Sequence, residues 1–301
     1  MLHQSLEFIA IFIPLYIYHA MGITIGYHRL LSHRSFSVTS KAVEYFWVLA
    51  GFTAFEGSPI WWSAMHRAHH HWVDTPLDPH SPRYGWFHSY FGWLLDKEYP
   101  KHIDPAIQCK DLINDPIYKF LEQGGKLQRG HALNFAINLS LRAVIWAVFG
   151  PIPALASLAA GLAVLQIPLM LNFTCHLPFL GYKNYQSIDD AVNVWWVGLL
   201  AMGEGWHNNH HAAPGSARTG TRMWEFDLSW YTICLMKKLN LVDRINAPKH
   251  EELVAKTSRR IAKEQIDKTT RELEIEIAAR EAMNSVSKIK SQLVPETVNA
   301  R

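Results

Sequence analysis

Charged residues are withheld from two long stretches of this chain and crowded into the rest. Residues 8–27 contain no Asp, Glu, Lys or Arg. At about 1.5 Å per residue, such a stretch matches a hydrocarbon core of about 30 Å, so a first membrane-crossing helix is expected over 5–27. It has no basic leader and no small-residue cleavage site, which argues against a signal peptide. Residues 143–182 are also free of formal charge, and Gly150-Pro151-Ile152-Pro153 falls inside them. Proline removes a backbone donor and clashes with the preceding turn. The run therefore predicts a helical hairpin with spanning arms at 131–149 and 154–175. Arg142, inside the first arm, is expected to snorkel or to face protein, because a lipid-facing charge is costly. The apolar runs 45–55 and 191–203, bounded by Glu44, Glu56, Asp190 and Glu204, are too short to cross and suit buried or interfacial helices.

The pattern gives an all-α integral membrane protein with few transmembrane helices. A membrane domain over 1–246 would carry a helical cap from 28–130 and 176–246. The remainder, 247–301, is rich in Lys, Arg, Glu and Ala with mixed charge, and reads as a charged, solvated helical tail rather than a partner-binding coiled coil. Two crossings between 131 and 175 return the chain to its starting side, so both cap sections face one compartment. Arg29, Arg34, Lys41, Arg67, Lys237 and Lys238 lie on that side, which the positive-inside rule makes cytoplasmic.

Composition adds one anomaly. A net charge of +3 gives no reason to expect nucleic acid as a partner. Three scattered cysteines, Cys109, Cys175 and Cys234, suggest no disulfide framework. The mean hydropathy of −0.04 conceals the segregation described above. Histidine, however, occurs 17 times against 26 acids, and its placement carries the chemistry.

Three clusters stand out: His28 and His33; His66, His69 and His70, followed by His71; and His207, His210 and His211. The second and third share the pattern HxxHH. On an α-helix, positions i, i+3 and i+4 lie on one face, so each box directs three imidazoles toward one region. Adjacent members diverge by about 100°, which lets neighbours serve different metals. His28 and His33 are about 140° apart on a straight helix. They reach one centre only if the helix ends or bends near 31–33; otherwise they serve different metals. Neutral imidazole binds Zn, Cu, Fe and Ni. Eight clustered histidines exceed the needs of one ion, so two metals are expected. His176 is a further candidate where the hairpin re-emerges, and Asn172, four residues earlier, could reach a metal directly or through water. Asp74, Asp78, Glu204, Asp189 and Asp190 are candidates to orient the imidazoles. His19 reads as structural, and His71, His80, His88, His102 and His131 lack the pattern.

At GYHRLLSHRSF (26–36), HRAHHHWVDTPLDPHSPRYGWFHSYFGWLL (66–95) and NFTCH through GEGWHNNHH (172–211), the chain resembles the membrane fatty-acid desaturase family. The resemblance covers roughly residues 20–240, and the local wording is most similar to the bacterial and cyanobacterial Δ9 acyl-lipid type. It implies a cytoplasmic site with two Fe(II) ions above a bent acyl tunnel, in a bacterial inner membrane. It also implies O₂, two external electrons and no catalytic side chain beyond the metal site. Carried over, the metal ligands are His28, His33, His66, His69, His70, His176, His207, His210 and His211, with Asn172 acting through water. Family members have two spans before the first box where this chain has room for one, so either a preceding helix is missing or the amino terminus starts on the opposite face. Ala64-Met65 stand where animal acyl-CoA desaturases have Arg-Asp, which favours an acyl-lipid over an acyl-CoA substrate. No fused cytochrome b5 signature or GxGxxG fingerprint is present, so electrons must come from a separate donor such as ferredoxin or a flavoprotein-linked carrier.

Trp61, Trp62, Trp195, Trp196 and Trp206 are candidate tunnel residues, and Arg218, Arg222, Lys237 and Lys238 a candidate donor-docking patch. A di-iron fatty-acid or alkane hydroxylase would use the same site but place oxygen on carbon. A histidine-rich metal transporter would hold its ligands within the spans, and a haem electron carrier would need two histidines per haem.

Overall fold

The fold is given by a computed structural model that describes residues 2–255, 257–259 and 261–262. Residues up to Leu253 form one compact unit, and the chain from Val254 is a second. The described residues of the second unit are helical; from 263 onward the expected charged tail lies outside the described residues.

Helix α1 (Leu2–Met21) passes without interruption into a π-helical segment, Gly22–Ser32. Together they make one helical run of 31 residues. With α7 (Leu127–Phe149) and α8 (Pro151–Thr174), it is one of three helices among the described residues long and apolar enough to cross a membrane. His28 therefore belongs to the end of the first spanning helix, not to a following cap. The two hairpin arms are separated only by Gly150, whose φ of 89° suits glycine. Pro151 begins α8 because a first-turn N–H needs no partner within the helix, so the arm starts three residues ahead of the expected 154.

Between the spans, β1 (Phe36–Val38) leads to α2 (Lys41–Phe52), started by the Ser40 hydroxyl accepting from Val43 N–H. Gly22 lets α2 approach the π segment: a Cβ there would meet the Gly51 nitrogen at 2.2 Å. Helix α3 (Pro59–Trp72) carries the second box behind a Ser58 cap with Pro59 in the first turn. Three short helices follow: α4 (Trp86–Tyr90), α5 (Pro105–Gln108) and α6 (Pro116–Glu122). After the hairpin come α9 (Trp195–Leu200), α10 (His207–Ala212), α11 (Leu228–Lys238) and β2 (Val242–Ile245). β2 pairs antiparallel with β1, Phe36 opposite Ile245 and Val38 opposite Val242. The α1 run packs mainly on α8 and α2, while α3 packs on the π segment. The first and second boxes thus share one interface, and among the described residues the fold is all-α apart from this two-stranded ribbon.

Candidate metal centre

The π segment settles the spacing of the first box. Its hydrogen bonds run i→i+5, so residues five apart come close to one face. His33 N–H donates to His28 O at 3.0 Å, and the two Nε2 atoms stand 3.1 Å apart. Arg67, on α3 beside the second box, caps this segment by donating to Leu31 O and Ser32 O. The third box rides on a helix of one and a half turns, held by the two asparagines inside it. Asn208 accepts from the backbone N–H groups of Asn184 and Tyr185, and Asn209 donates to Thr219 O and to Glu225.

All nine candidate histidines converge, in two groups: His28, His33, His66, His70 and His210, and His69, His176, His207 and His211. Adjacent box members separate as their divergence on a helix requires: His69 and His70 fall in different groups, as do His210 and His211. In the first group the Nε2 atoms form a closed ring. Successive separations are 3.1 Å for His28–His33, 2.8 Å for His33–His66 and 3.1 Å for His66–His70. The ring closes with 2.8 Å for His70–His210 and 3.1 Å for His210–His28. In the second, His207 Nε2 stands 3.1 Å from His176 and 3.0 Å from His211, while buried His69 Nε2 has no partner.

Nitrogens bound about 2.0–2.1 Å from a metal, at right angles to one another, stand about 3 Å apart. The observed ring matches that spacing. Burial, reinforced by neighbouring histidines, holds His33, His66, His70, His207 and His210 well below the ordinary imidazole range. Burial also lowers His211 to about 4, with Asp189 opposing. Neutral imidazoles presenting lone pairs to one another at such distances repel unless a cation lies between them. The donor set therefore fits metal ions.

Four acids hold the rings from behind. His69 Nδ1 is 3.0 Å from both Asp78 oxygens, and His176 Nδ1 is 3.2 Å from Asp74. His211 Nδ1 is 3.4 Å from Asp189, and His28 Nδ1 is 2.8 Å from Glu204. Burial alone would raise these carboxyls, but His69, His176 and His211 hold Asp78, Asp74 and Asp189 below their usual range, and Arg29 with His28 does so for Glu204. Burial would lower His69, but Asp78, with Asp74 and Asp189 nearby, moves it up. Asp190 is not among these acids: its side chain faces Arg83, and only its backbone N–H reaches Asp74.

Two residues were not anticipated. Arg29, read only as one of the basic residues on the cytoplasmic side, is 1% exposed and lies between Glu204 and Asp227, with Nε 2.9 Å from Glu204 and Nη2 3.0 Å from Asp227. His80, set aside for lacking the box pattern, is buried 3.7 Å from Asp78 with its ring 4.5 Å from that of His69. Its position two residues after Asp78 was the available signal.

Asn172 belongs to neither histidine group. It lines a void of 40 Å³ with His28, His66, Glu204 and His207, large enough to hold water. It also lines a cavity of 230 Å³ whose wall includes His66, Trp61, Trp62, Glu56, Phe55 and Phe135. Trp62 stacks on His66 at 4.9 Å. The other three candidate tunnel tryptophans lie elsewhere: Trp195 is 63% exposed, Trp196 packs on the core, and Trp206 is buried against Gly198. Arg218, Arg222, Lys237 and Lys238 are all exposed.

The fatty acid desaturase profile matches residues 6–232. The chain is 40% identical over 228 residues to the sn-1 stearoyl-lipid 9-desaturase of Anabaena variabilis, covering 75% of this chain and 78% of that protein. It is 38% identical over 234 residues to the sn-1 stearoyl-lipid 9-desaturase of Synechocystis sp., covering 76% and 68%. An acyl-CoA 5-desaturase of Anemone leveillei is 36% identical over 233 residues, covering 75% and 68%.

Proposed function

Since the chain belongs to the fatty acid desaturase family, we propose that it places a cis double bond at Δ9 of a saturated acyl chain carried on a lipid. The reaction consumes O₂, two electrons and two protons, and yields the alkene and two waters. The observation that supports this most is the pair of histidine groups, with ring nitrogens converging beside an apolar cavity. The ligands are His28, His33, His66, His70 and His210 for one ion, and His69, His176, His207 and His211 for the other, with Asn172 acting through water in the adjoining void. When bound, two ferrous ions supply O₂ activation and removal of hydrogen from an unactivated methylene.

The protein's own part is positioning. Asp78, Asp74, Asp189 and Glu204 fix ring orientation through Nδ1 and leave Nε2 for the metal. Trp61, Trp62 and Met65 present an apolar wall that holds an acyl chain and limits water. The acyl-lipid preference is supported by Ala64-Met65 in place of an acid–base pair and by the stearoyl-lipid names of two relatives. The membrane domain is taken as 1–246, with its site facing the cytoplasm at a bacterial inner membrane. Exposed Arg218, Arg222, Lys237 and Lys238 offer a basic docking face to a separate electron donor, ferredoxin or a flavoprotein-linked carrier.

The test is gas chromatography–mass spectrometry of total fatty acids from a host lacking desaturase, with this chain and a matched donor co-expressed. A new cis-Δ9 monounsaturated C16 or C18 acid is expected. A hydroxy acid, or no product with the donor present, would overturn the reading.

A further inference from the structure

Asn134, Asn138 and Arg142 lie four residues apart on the buried stripe of the spanning helix α7. Polar and charged groups in a span are costly unless they are partnered. These three meet the end of α2, a helix too short to span, whose last carbonyls have no partner within the helix itself. Asn134 Nδ2 and Asn138 Nδ2 each donate to Phe52 O at 3.0 Å, and Arg142 Nη2 donates to Thr53 O at 2.6 Å. His19 Nδ1, from α1, reaches Ala50 O at 2.8 Å, and Thr53 Oγ1 returns to Leu49 O at 2.7 Å. Two spanning helices thus cap one non-spanning helix, with a cation at its negative end.

The residues leaving this capped end enter the cavity wall. Phe55 is 4% exposed and has a φ of 67°, a region non-glycine residues rarely adopt. Its ring lies 5.1 Å from the Arg142 guanidinium carbon and 5.2 Å from the ring of Phe135. Phe55 and Phe135 line the same 230 Å³ cavity as His66. Gly161 of α8 leaves the space that both need: a Cβ there would sit 2.9 Å from Arg142 Nη2 and 3.2 Å from Phe55 Cε2.

Resting on the desaturase reading, we propose that Phe55 is an end wall of the acyl cavity and that the Asn134–Asn138–Arg142 stripe is the positioning device that fixes it, so selecting acyl-chain length and the methylene presented to the site. A clasp that only stabilised the fold would alter how much product forms. A clasp that sets a wall alters which product forms.

The experiment compares full-length parent, Phe55→Ala, Asn134→Ala, Arg142→Met, Arg142→Lys and Gly161→Ala in the desaturase-free host with donor, with products normalised to membrane-inserted chain. One methylene in an apolar pocket changes discrimination by about 10–200-fold, so Phe55→Ala should shift the ratio of C18 to C16 products by about tenfold or more. Arg142→Met and Gly161→Ala should move the ratio or the bond position, and Arg142→Lys should stay nearer the parent. If Arg142→Met fails to accumulate, Gly161→Ala and Asn134→Ala carry the test. Parent ratios and bond position at merely reduced yield, in every variant that accumulates, overturn this inference alone. No product from the parent overturns the desaturase reading, and this inference with it.

Discussion

Asp78→Asn separates a carboxylate that orients a metal ligand from one that only stabilises a loop. Both Asp78 oxygens stand 3.0 Å from His69 Nδ1; one also accepts from Asp74 N–H at 3.0 Å and the other from His80 N–H at 3.2 Å. An asparagine keeps one acceptor and turns an NH₂ group toward a donor. One buried hydrogen bond is lost, at a cost of about 1–3 kcal/mol. The charge that holds His69 Nδ1–H disappears as well, and losing such a partner costs about 10–100-fold in metal affinity. Each tenfold is about 1.4 kcal/mol. His69 belongs to the four-histidine group, so only one of two ions should weaken. The assay is anaerobic ferrous titration of purified chain against a competing chelator, alongside thermal unfolding and product yield. The expected result is one parent-like site, one weakened site, reduced product and a lower melting temperature. Asp190→Asn is the control: its carboxylate faces Arg83 at 3.6 Å, so binding should not change. Parent affinity at both sites and parent turnover in Asp78→Asn, with only the melting temperature lowered, would refute the orienting role.

His210→Ala should abolish product and reduce bound iron from two ions per chain toward one, because it opens the ring between His28 and His70; full turnover would remove His210 from the ligand set. Arg29→Met strands the buried Glu204 and Asp227 carboxylates and should cost about 3–5 kcal/mol, read from unfolding in detergent; a change near zero would contradict the buried pairing. Burial holds the Glu56 carboxyl well above its ordinary value of 4.5, with the Trp62 indole N–H partly opposing. As pH rises past 4.5 the unfolded chain releases that proton while the folded chain keeps it, so stability declines up to the folded value at about 1.4 kcal/mol per pH unit. Glu56→Gln escapes this decline and should melt above the parent at pH 7–8, with the gap closing toward pH 4.5; a pH-independent gap would contradict a neutral buried carboxyl.

The features readable from sequence were those set by a fixed period. HxxHH on a regular helix sends three imidazoles to one side, and both boxes do so on α3 and α10. The division of His69 from His70 follows from the turn of about 100° per residue. Charge-free runs likewise located the three long apolar helices. What escaped was long-range. Arg29 sits next to a box histidine and reads as one more basic residue, yet its partners are 175 and 198 residues away. His80 lacks any box spacing and enters the site only because the loop after α3 folds back over His69. Asp190 adjoins Asp189 in sequence, but only Asp189 turns inward.

The first box shows why spacing alone left a choice open. Five residues along an α-helix place His28 and His33 about 140° apart, which leaves two centres or a helix that ends or bends near 31–33. The second holds: the helix ends at Ser32 with His33 as its cap, and both rings serve one group because the backbone leading to that end has an i→i+5 repeat. Histidine spacing specifies a face only once the helix type is known, and the type is set by contacts outside the segment. Gly22 admits the backbone of α2 against the start of the π segment, and Arg67 holds the Leu31 and Ser32 carbonyls at its end. Arg67 is itself the residue after His66, so the second box closes the geometry of the first. The two boxes are therefore one structural unit, and Arg67→Ala should disturb His28 and His33 before it disturbs His66. In ferrous titration that variant should weaken the five-histidine site while leaving the four-histidine site near parent affinity; equal loss at both sites would show that the cap and the ring are not linked in this way.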